Sequence, residues 1–165
     1  MKTLSWDEFF MHQVYLVASK SKDTRTRIGA VLVKDKRVIS QGYNGICMSV
    51  NDNFPERYER PIKYLYFAHA EANSIFSCAR FGISSLGSTL YTQGTPCASC
   101  AQAVIQAGIS KIVIHKQWPN LFHSEKWVES INISNKMLTE ANVAIELLDQ
   151  ELNTKGFLDG NEIYV

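Results

Sequence analysis

The chain has 165 residues, 45% of them apolar, and a formal net charge of +1. That size suits one globular domain over 1–165, with a core at about 5–148, and the near-neutral charge favours a small substrate over polymeric nucleic acid. The N-terminus turns acidic at Asp7-Glu8 where a secretory leader would turn apolar, and no later run is apolar for long enough to span a bilayer, so a cytoplasmic protein with no membrane partner is expected.

In chain order, Ser5-Trp6-Asp7-Glu8 has the form of a capping box, and Phe9, Phe10, Val14, Leu16 and Val17 follow at largely helical spacing. A first helix over about 6–19 is predicted. Ile28–Val33 and Arg37–Tyr43 are rich in β-branched residues and flank the polar Lys34-Asp35-Lys36, the pattern of an antiparallel hairpin. The polar, Pro-containing stretch 49–63 reads as a long loop of mixed charge, either solvated surface or subunit contact. Tyr64, Tyr66 and Phe67 after it fit either the floor of a pocket or the end of a core strand.

Residues 68–80 predict a helix opening at His69 and stopped by Gly82; 88–92 predict a third strand; and Cys97 opens a helix that ends at Gly108, a natural left-handed terminator. A fourth strand at 111–115 follows, then a loop with a short helical piece over 118–132, a helix at 134–141, a last strand at 143–148 and an unassigned tail from Glu151. Helices alternating with strands after a hairpin predict an α/β fold: a three-layer α/β/α sandwich on a mixed five-stranded sheet.

The chemistry concentrates in His69-Ala70-Glu71 and Pro96-Cys97-Ala98-Ser99-Cys100. His69, Cys97 and Cys100 supply nitrogen and sulfur donors of the kind zinc prefers, and three protein ligands leave a fourth position for a water made acidic by the metal. Glu71 is then a spare acid for moving protons. Both segments sit where helices start, and the partial positive charge there favours thiolate over thiol. H-x-E followed by P-C-x-x-C is the known signature of zinc nucleobase deaminases, so the pattern is matched here to an existing template. Of the four cysteines, Cys47 and Cys78 have no partner spacing, which excludes a secreted disulfide framework.

The chain resembles the deoxycytidylate (dCMP) deaminase family of the cytidine deaminase-like superfamily. The likeness is carried by Ile28–Val33, Gly42-Tyr43-Asn44-Gly45, His69–Asn73, Thr89–Tyr91, Pro96–Ala101 and Ile105–Ile109. The zinc motifs are common to the superfamily, whereas Gly-Tyr-Asn-Gly is narrower and points to the dCMP branch. The resemblance implies hydrolysis of dCMP to dUMP and ammonia, feeding thymidylate synthesis, with one catalytic zinc ion per subunit on His69, Cys97 and Cys100 and with Glu71 as proton shuttle. It implies substrate contacts from Asn44, Arg25, Arg27 and Ala70; Asn44 by itself reads equally well as a turn residue.

The family resemblance further implies a hexamer, activated by dCTP and inhibited by dTTP at a site near Gly42, Tyr43, Asn44 and Gly45. Ile46-Cys47-Met48 after that element departs from the Pro-Arg of many bacterial relatives, and 48–66 lack the Cys and His that hold a second zinc in some viral ones. His115 and His123 are set aside as phosphate contacts, and Trp118 and Trp127 read as packing or interface residues and not as base-stacking platforms. The competing readings are a deaminase of another cytosine or adenine substrate (nucleoside, CMP or tRNA) and a non-catalytic, zinc-stabilised binding module.

Overall fold

The computed structural model describes residues 3–118 and 125–165. Helix α1 (Trp6–Ala18) opens on the capping box: Ser5 Oγ accepts from the Glu8 N–H at 3.2 Å while Glu8 Oε2 accepts from the Ser5 N–H at 2.7 Å. Strands β1 (Gly29–Lys34) and β2 (Arg37–Tyr43) form the expected hairpin. Asp35 and Lys36 both take positive φ, 50° and 58°, which matches the right-handed twist of the strands they join.

A two-residue strand β3 (Gly45–Ile46) pairs with β4 (Phe67–Ala68). Between them the expected bare loop contains a 3-10 turn over Pro55–Tyr58 and a short helix α2 (Lys63–Tyr66). Tyr58 packs edge-on against Phe67 and the Arg57 guanidinium lies 4.5 Å above the Tyr66 ring, so aromatic packing organises a stretch whose mixed charge suggested solvent.

Helix α3 (Ala70–Phe81) ends at Gly82 in the left-handed region, φ 66°. Strand β5 (Thr89–Thr92), helix α4 (Ala98–Gln106), strand β6 (Lys111–His115), helix α5 (Glu125–Glu140) and strand β7 (Ala144–Leu148) then form two successive crossovers. The five-stranded sheet has the order β2-β1-β5-β6-β7, antiparallel through β2, β1 and β5 and parallel through β5, β6 and β7. Right-handed crossovers that advance in one direction place both their helices on the same face. Val104 of α4 and Leu138 of α5 accordingly share a core with Ala30, Leu32, Leu90, Ile112 and Ile114. The alternate residues Val31, Val33, Tyr91 and Val113 point the other way, onto Phe10, Met11, Val14 and Tyr15 of α1. Helices thus cover both faces, as the three-layer expectation required.

One expectation is corrected and one unassigned stretch is placed. The loop and separate helix predicted over 118–141 are, from Glu125, one 16-residue helix, because tertiary packing of Leu138 and Ser134 overrides the weak helix preference of Ile131-Asn132-Ile133-Ser134-Asn135. The tail is ordered as a hairpin, β8 (Lys155–Leu158) and β9 (Asn161–Tyr164), with Leu152 and Leu158 buried in the α1-side core beside Trp118. A backbone bond from the Arg27 N–H to the Phe157 carbonyl, 3.0 Å, ties this hairpin to the segment before β1.

Candidate active site

The site lies beyond the carboxyl end of β5, where the sheet changes from antiparallel to parallel pairing and its connections diverge. His69 and Cys97 are the residues immediately before α3 and α4, both in extended conformation, and neither caps its helix with its side chain. Their side chains are therefore free to face each other. His69 Nδ1 lies 3.4 Å from Cys97 Sγ and 3.4 Å from Cys100 Sγ, and the three donor atoms fall within 4.8 Å of one another. One nitrogen and two sulfurs at that spacing fit a zinc ion, and this is the only such cluster among the described residues. Glu71, the second residue of α3, is buried beside them, with its Oε2 3.7 Å from Cys100 Sγ.

The electrostatics follow from this crowding. A hydrogen bond from the Cys100 thiol, helped by His69 and Ser99, holds Cys97 down to about 3 against the opposing effect of burial. The bond to Cys97 lifts the His69 imidazole to about 9, again against burial. Cys100 is pushed up by its bond to Cys97 and by burial. Burial pushes the Glu71 carboxyl up, partly offset by His69. A carboxyl raised in this way holds and releases a proton nearer neutrality than an exposed glutamate does.

A cleft of about 760 Å³ opens onto the cluster. His69, Ala70, Glu71, Cys97 and Ser99 line it, together with Arg25, Asn44, Tyr64, Phe67, Trp118 and Trp127. Trp118 and Trp127 stand on the cleft wall, and Trp118 also packs in the α1-side core. Tyr64 and Phe67 settle the open question in favour of the pocket, while Tyr66 stays out of it.

The predicted polar contacts separate. Arg25 reaches the cleft. Arg27 does not: its guanidinium stacks 4.4 Å over Phe157 and its Nε donates to the Asp23 carbonyl at 3.2 Å. Asn44 lines the cleft but is heavily committed. Its Oδ1 accepts from the Ile28 N–H at 2.8 Å, and its Nδ2 donates to Asp23 Oδ2 at 2.9 Å and to the Thr26 carbonyl at 2.8 Å. Both amide hydrogens are used, so a ligand hydroxyl can only donate to the remaining lone pair of Oδ1. Gly42 serves packing: a Cβ there would lie 2.4 Å from the Ser74 nitrogen and 2.5 Å from the Ala70 carbonyl of α3. Tyr43 is exposed, its carbonyl accepts from Asn73 Nδ2 at 2.8 Å, and Gly45 pairs with Ala68.

Residues that sequence reasoning missed include Arg60, Lys63, Asp23, Ser130 and Asp159, all on the cleft wall. Lys63 belonged to the supposed solvated loop, yet it is buried and paired with Asp23 at 2.5 Å. Asp23 also accepts from the Arg25 and Thr26 N–H groups, at 2.8 and 3.3 Å. That local turn, an Asp bonded to the backbone two and three residues on, is the one signal that could have singled it out. His115, set aside as a phosphate contact, is buried and bonded to Tyr15 Oη at 2.7 Å and to the Gln150 carbonyl at 2.8 Å. His123 lies outside the described residues. All four cysteines are free, and no helix among the described residues is long and apolar enough to cross a membrane.

The arrangement of sheet, paired helix starts and His/Cys/Cys cluster defines a cytidine deaminase-like fold. A dCMP deaminase from the cyanophage S-TIM5, solved in complex with dCMP and dUMP, superposes on 90% of this chain and 100% of its own with a TM-score of 0.69 at 22% identity. A family model described as the cytidine and deoxycytidylate deaminase zinc-binding region matches residues 4–116. A deaminase of Aliivibrio fischeri from the luxG 3′ region, described as uncharacterized, is 35% identical over 147 residues, 89% of this chain and 96% of its own. Human deoxycytidylate deaminase is 32% identical over 133 residues, 77% of this chain and 69% of its own. The chain belongs to the deoxycytidylate deaminase family.

Proposed function

We propose that this protein is a zinc-dependent dCMP deaminase that hydrolyses dCMP to dUMP and ammonia. The observation that carries the reading is the convergence of His69 Nδ1 and the Cys97 and Cys100 sulfurs beside a buried Glu71, at the base of a cleft sized for a nucleotide. His69, Cys97 and Cys100 would hold one zinc ion, which when bound supplies the Lewis acidity that makes water a nucleophile near neutral pH. Glu71 takes one proton from the attacking water and passes it to the ring nitrogen beside the amine-bearing carbon; it then carries the second proton from the added hydroxyl to the amine, so that the C–N bond breaks, ammonia leaves and the carbonyl forms. Ala70 begins α3, so its N–H has no acceptor within the helix and is offered to the base carbonyl. Trp118 and Trp127 wall the cleft against water.

Arg25 and Arg60 supply the charge for the phosphate. Among the described residues neither pairs with a carboxylate, whereas Lys63 is neutralised by Asp23 and Arg27 is turned onto Phe157. Asn44 receives a hydrogen bond from the sugar hydroxyl. Residues 1–165 act as one domain in the cytoplasm, as a hexamer whose activity dCTP raises and dTTP lowers at the Tyr43 end of β2, supplying dUMP for thymidylate synthesis. The exposed Tyr43 side chain and the family membership support that regulation.

The deciding experiment follows ammonia release from dCMP, CMP, dCTP, cytidine and an RNA hairpin, with zinc content measured on the same sample. Turnover of dCMP well above the others, at one zinc per chain, is expected. Preferential turnover of the hairpin would replace the substrate assignment, and a zinc-loaded protein inert on every substrate would favour the binding-module reading.

A further inference from the structure

Helix α4 and the cap residue before it carry two of the three metal-site side chains, and that cap residue, Cys97, makes no side-chain bond to the helix backbone. A Ser, Thr, Asp or Asn at that position would satisfy one of the open N–H groups. A cysteine whose sulfur is turned toward His69 does not. The Ala98 N–H is satisfied from another element: Ser130 Oγ on α5 accepts it at 3.0 Å. One turn earlier on α5, the Trp127 ring lies over the His69 imidazole, with centroids 6.1 Å apart and planes inclined by 30°. Residues three apart share a helix face. A single face of α5 therefore reaches both halves of the ligand set, the peptide next to Cys97 and the ring of His69, and both side chains line the cleft.

We propose that Ser130 is a positioning residue for the metal site, fixing the start of α4 so that the Cys97 sulfur meets His69 Nδ1, while Trp127 bears on the imidazole from the same face. The inference rests on the zinc reading above. Without the Ser130 hydroxyl, the Ala98 N–H loses its acceptor and the start of α4 loses its tie to α5. Cys97, the residue on the other side of that peptide, is then less firmly held where its sulfur meets His69 Nδ1. Partners that orient metal ligands from outside the coordination sphere cost about 10–100-fold in metal affinity or activity when removed.

The test compares the full-length chain with Ser130→Ala, Ser130→Thr and Ser134→Ala. Ser134 is one turn further along α5, is buried, and its hydroxyl has no partner among the described residues, so its variant controls for disturbance of the helix itself. Zinc affinity is read by competition with a chromophoric chelator, and ligand geometry by the visible absorption of the cobalt(II)-loaded protein. In Ser130→Ala, zinc affinity is expected to fall about tenfold or more with a displaced cobalt band. Ser130→Thr should restore both, and Ser134→Ala should change neither. Wild-type affinity and spectrum in a folded Ser130→Ala overturn the proposal, as does an equal loss in Ser134→Ala. If Ser130→Ala does not accumulate as folded protein, the threonine variant decides: retained affinity and band position support the hydroxyl's role, and loss of both rejects it. A wild-type chain that takes up neither ion overturns the metal reading along with the proposal, which separates the two failures.

Discussion

Glu71 and His115 are two buried titratable side chains with opposite uses. Glu71 faces the cluster from the first turn of α3, raised by burial and partly offset by the His69 charge. Replacing it with Gln keeps the volume and removes the proton acceptor. We expect Glu71→Gln to retain zinc and fold while turnover falls by about 10²–10⁴, measured as kcat alongside metal content; unchanged turnover would remove Glu71 from the chemistry. His115 donates from Nε2 to the Gln150 carbonyl and so accepts from Tyr15 Oη at Nδ1, a neutral tautomer fixed by its partners. Burial holds it below its ordinary 6.5. The unfolded chain therefore binds this proton at a pH where the folded chain does not. The stability contribution is complete above 6.5 and is lost as pH falls toward the lower folded value. Urea unfolding between pH 7.5 and 5 should show this loss, with a slope of at most about 1.4 kcal/mol per pH unit from this one proton. The slope should flatten in His115→Gln, and an identical slope in the variant would assign the effect to other groups.

At the scale of elements, the site depends on how closely strands approach helices. Gly29 and Gly42 let β1 and β2 lie against α1 and α3: a Cβ would come within 2.1 Å of the Val14 carbonyl at Gly29 and within 2.4 Å of the Ser74 nitrogen at Gly42. Backbone atoms cannot move aside as a flexible side chain would. Gly42→Ala should therefore push β2 off α3, lower unfolding stability by about 1–3 kcal/mol and, because Asn73 of α3 holds the Tyr43 carbonyl, disturb the start of the Asn44 network. Denaturant midpoints with an unchanged m-value would measure it, and a neutral outcome would mean that α3 shifts freely. The Gly-Tyr-Asn-Gly element was legible as a motif, but its glycine reads as packing and its asparagine as a brace only once α3 and the 23–28 segment are placed around it.

For the whole molecule, the cleft is assembled from segments far apart in sequence: 23–28, Asn44, 60–71, 94–99, Trp118, α5 and the tip of the β8–β9 hairpin. The proposed allostery belongs to this scale, since an effector bound near Tyr43 would have to act on the cleft through the shared Asn44–Asp23–Lys63 brace. Titrating dCTP and dTTP against dCMP turnover should move the saturation curve in opposite directions; a curve that neither nucleotide shifts would remove regulation from the account. By itself the sequence singled out His69, Cys97 and Cys100 with Glu71 beside them, the first helix and the five sheet strands, because each is written in local terms: short motifs, cap chemistry and the periods of helix and strand. Only the tertiary structure decided that Arg25 and Arg60 face the cleft while Arg27 covers Phe157, that Lys63 is buried, that α5 continues unbroken from Glu125, and that the tail folds back as a wall. Those outcomes are set by partners more than thirty residues away, in several cases more than a hundred, and no local pattern encodes the surface a side chain will meet when the chain closes on itself.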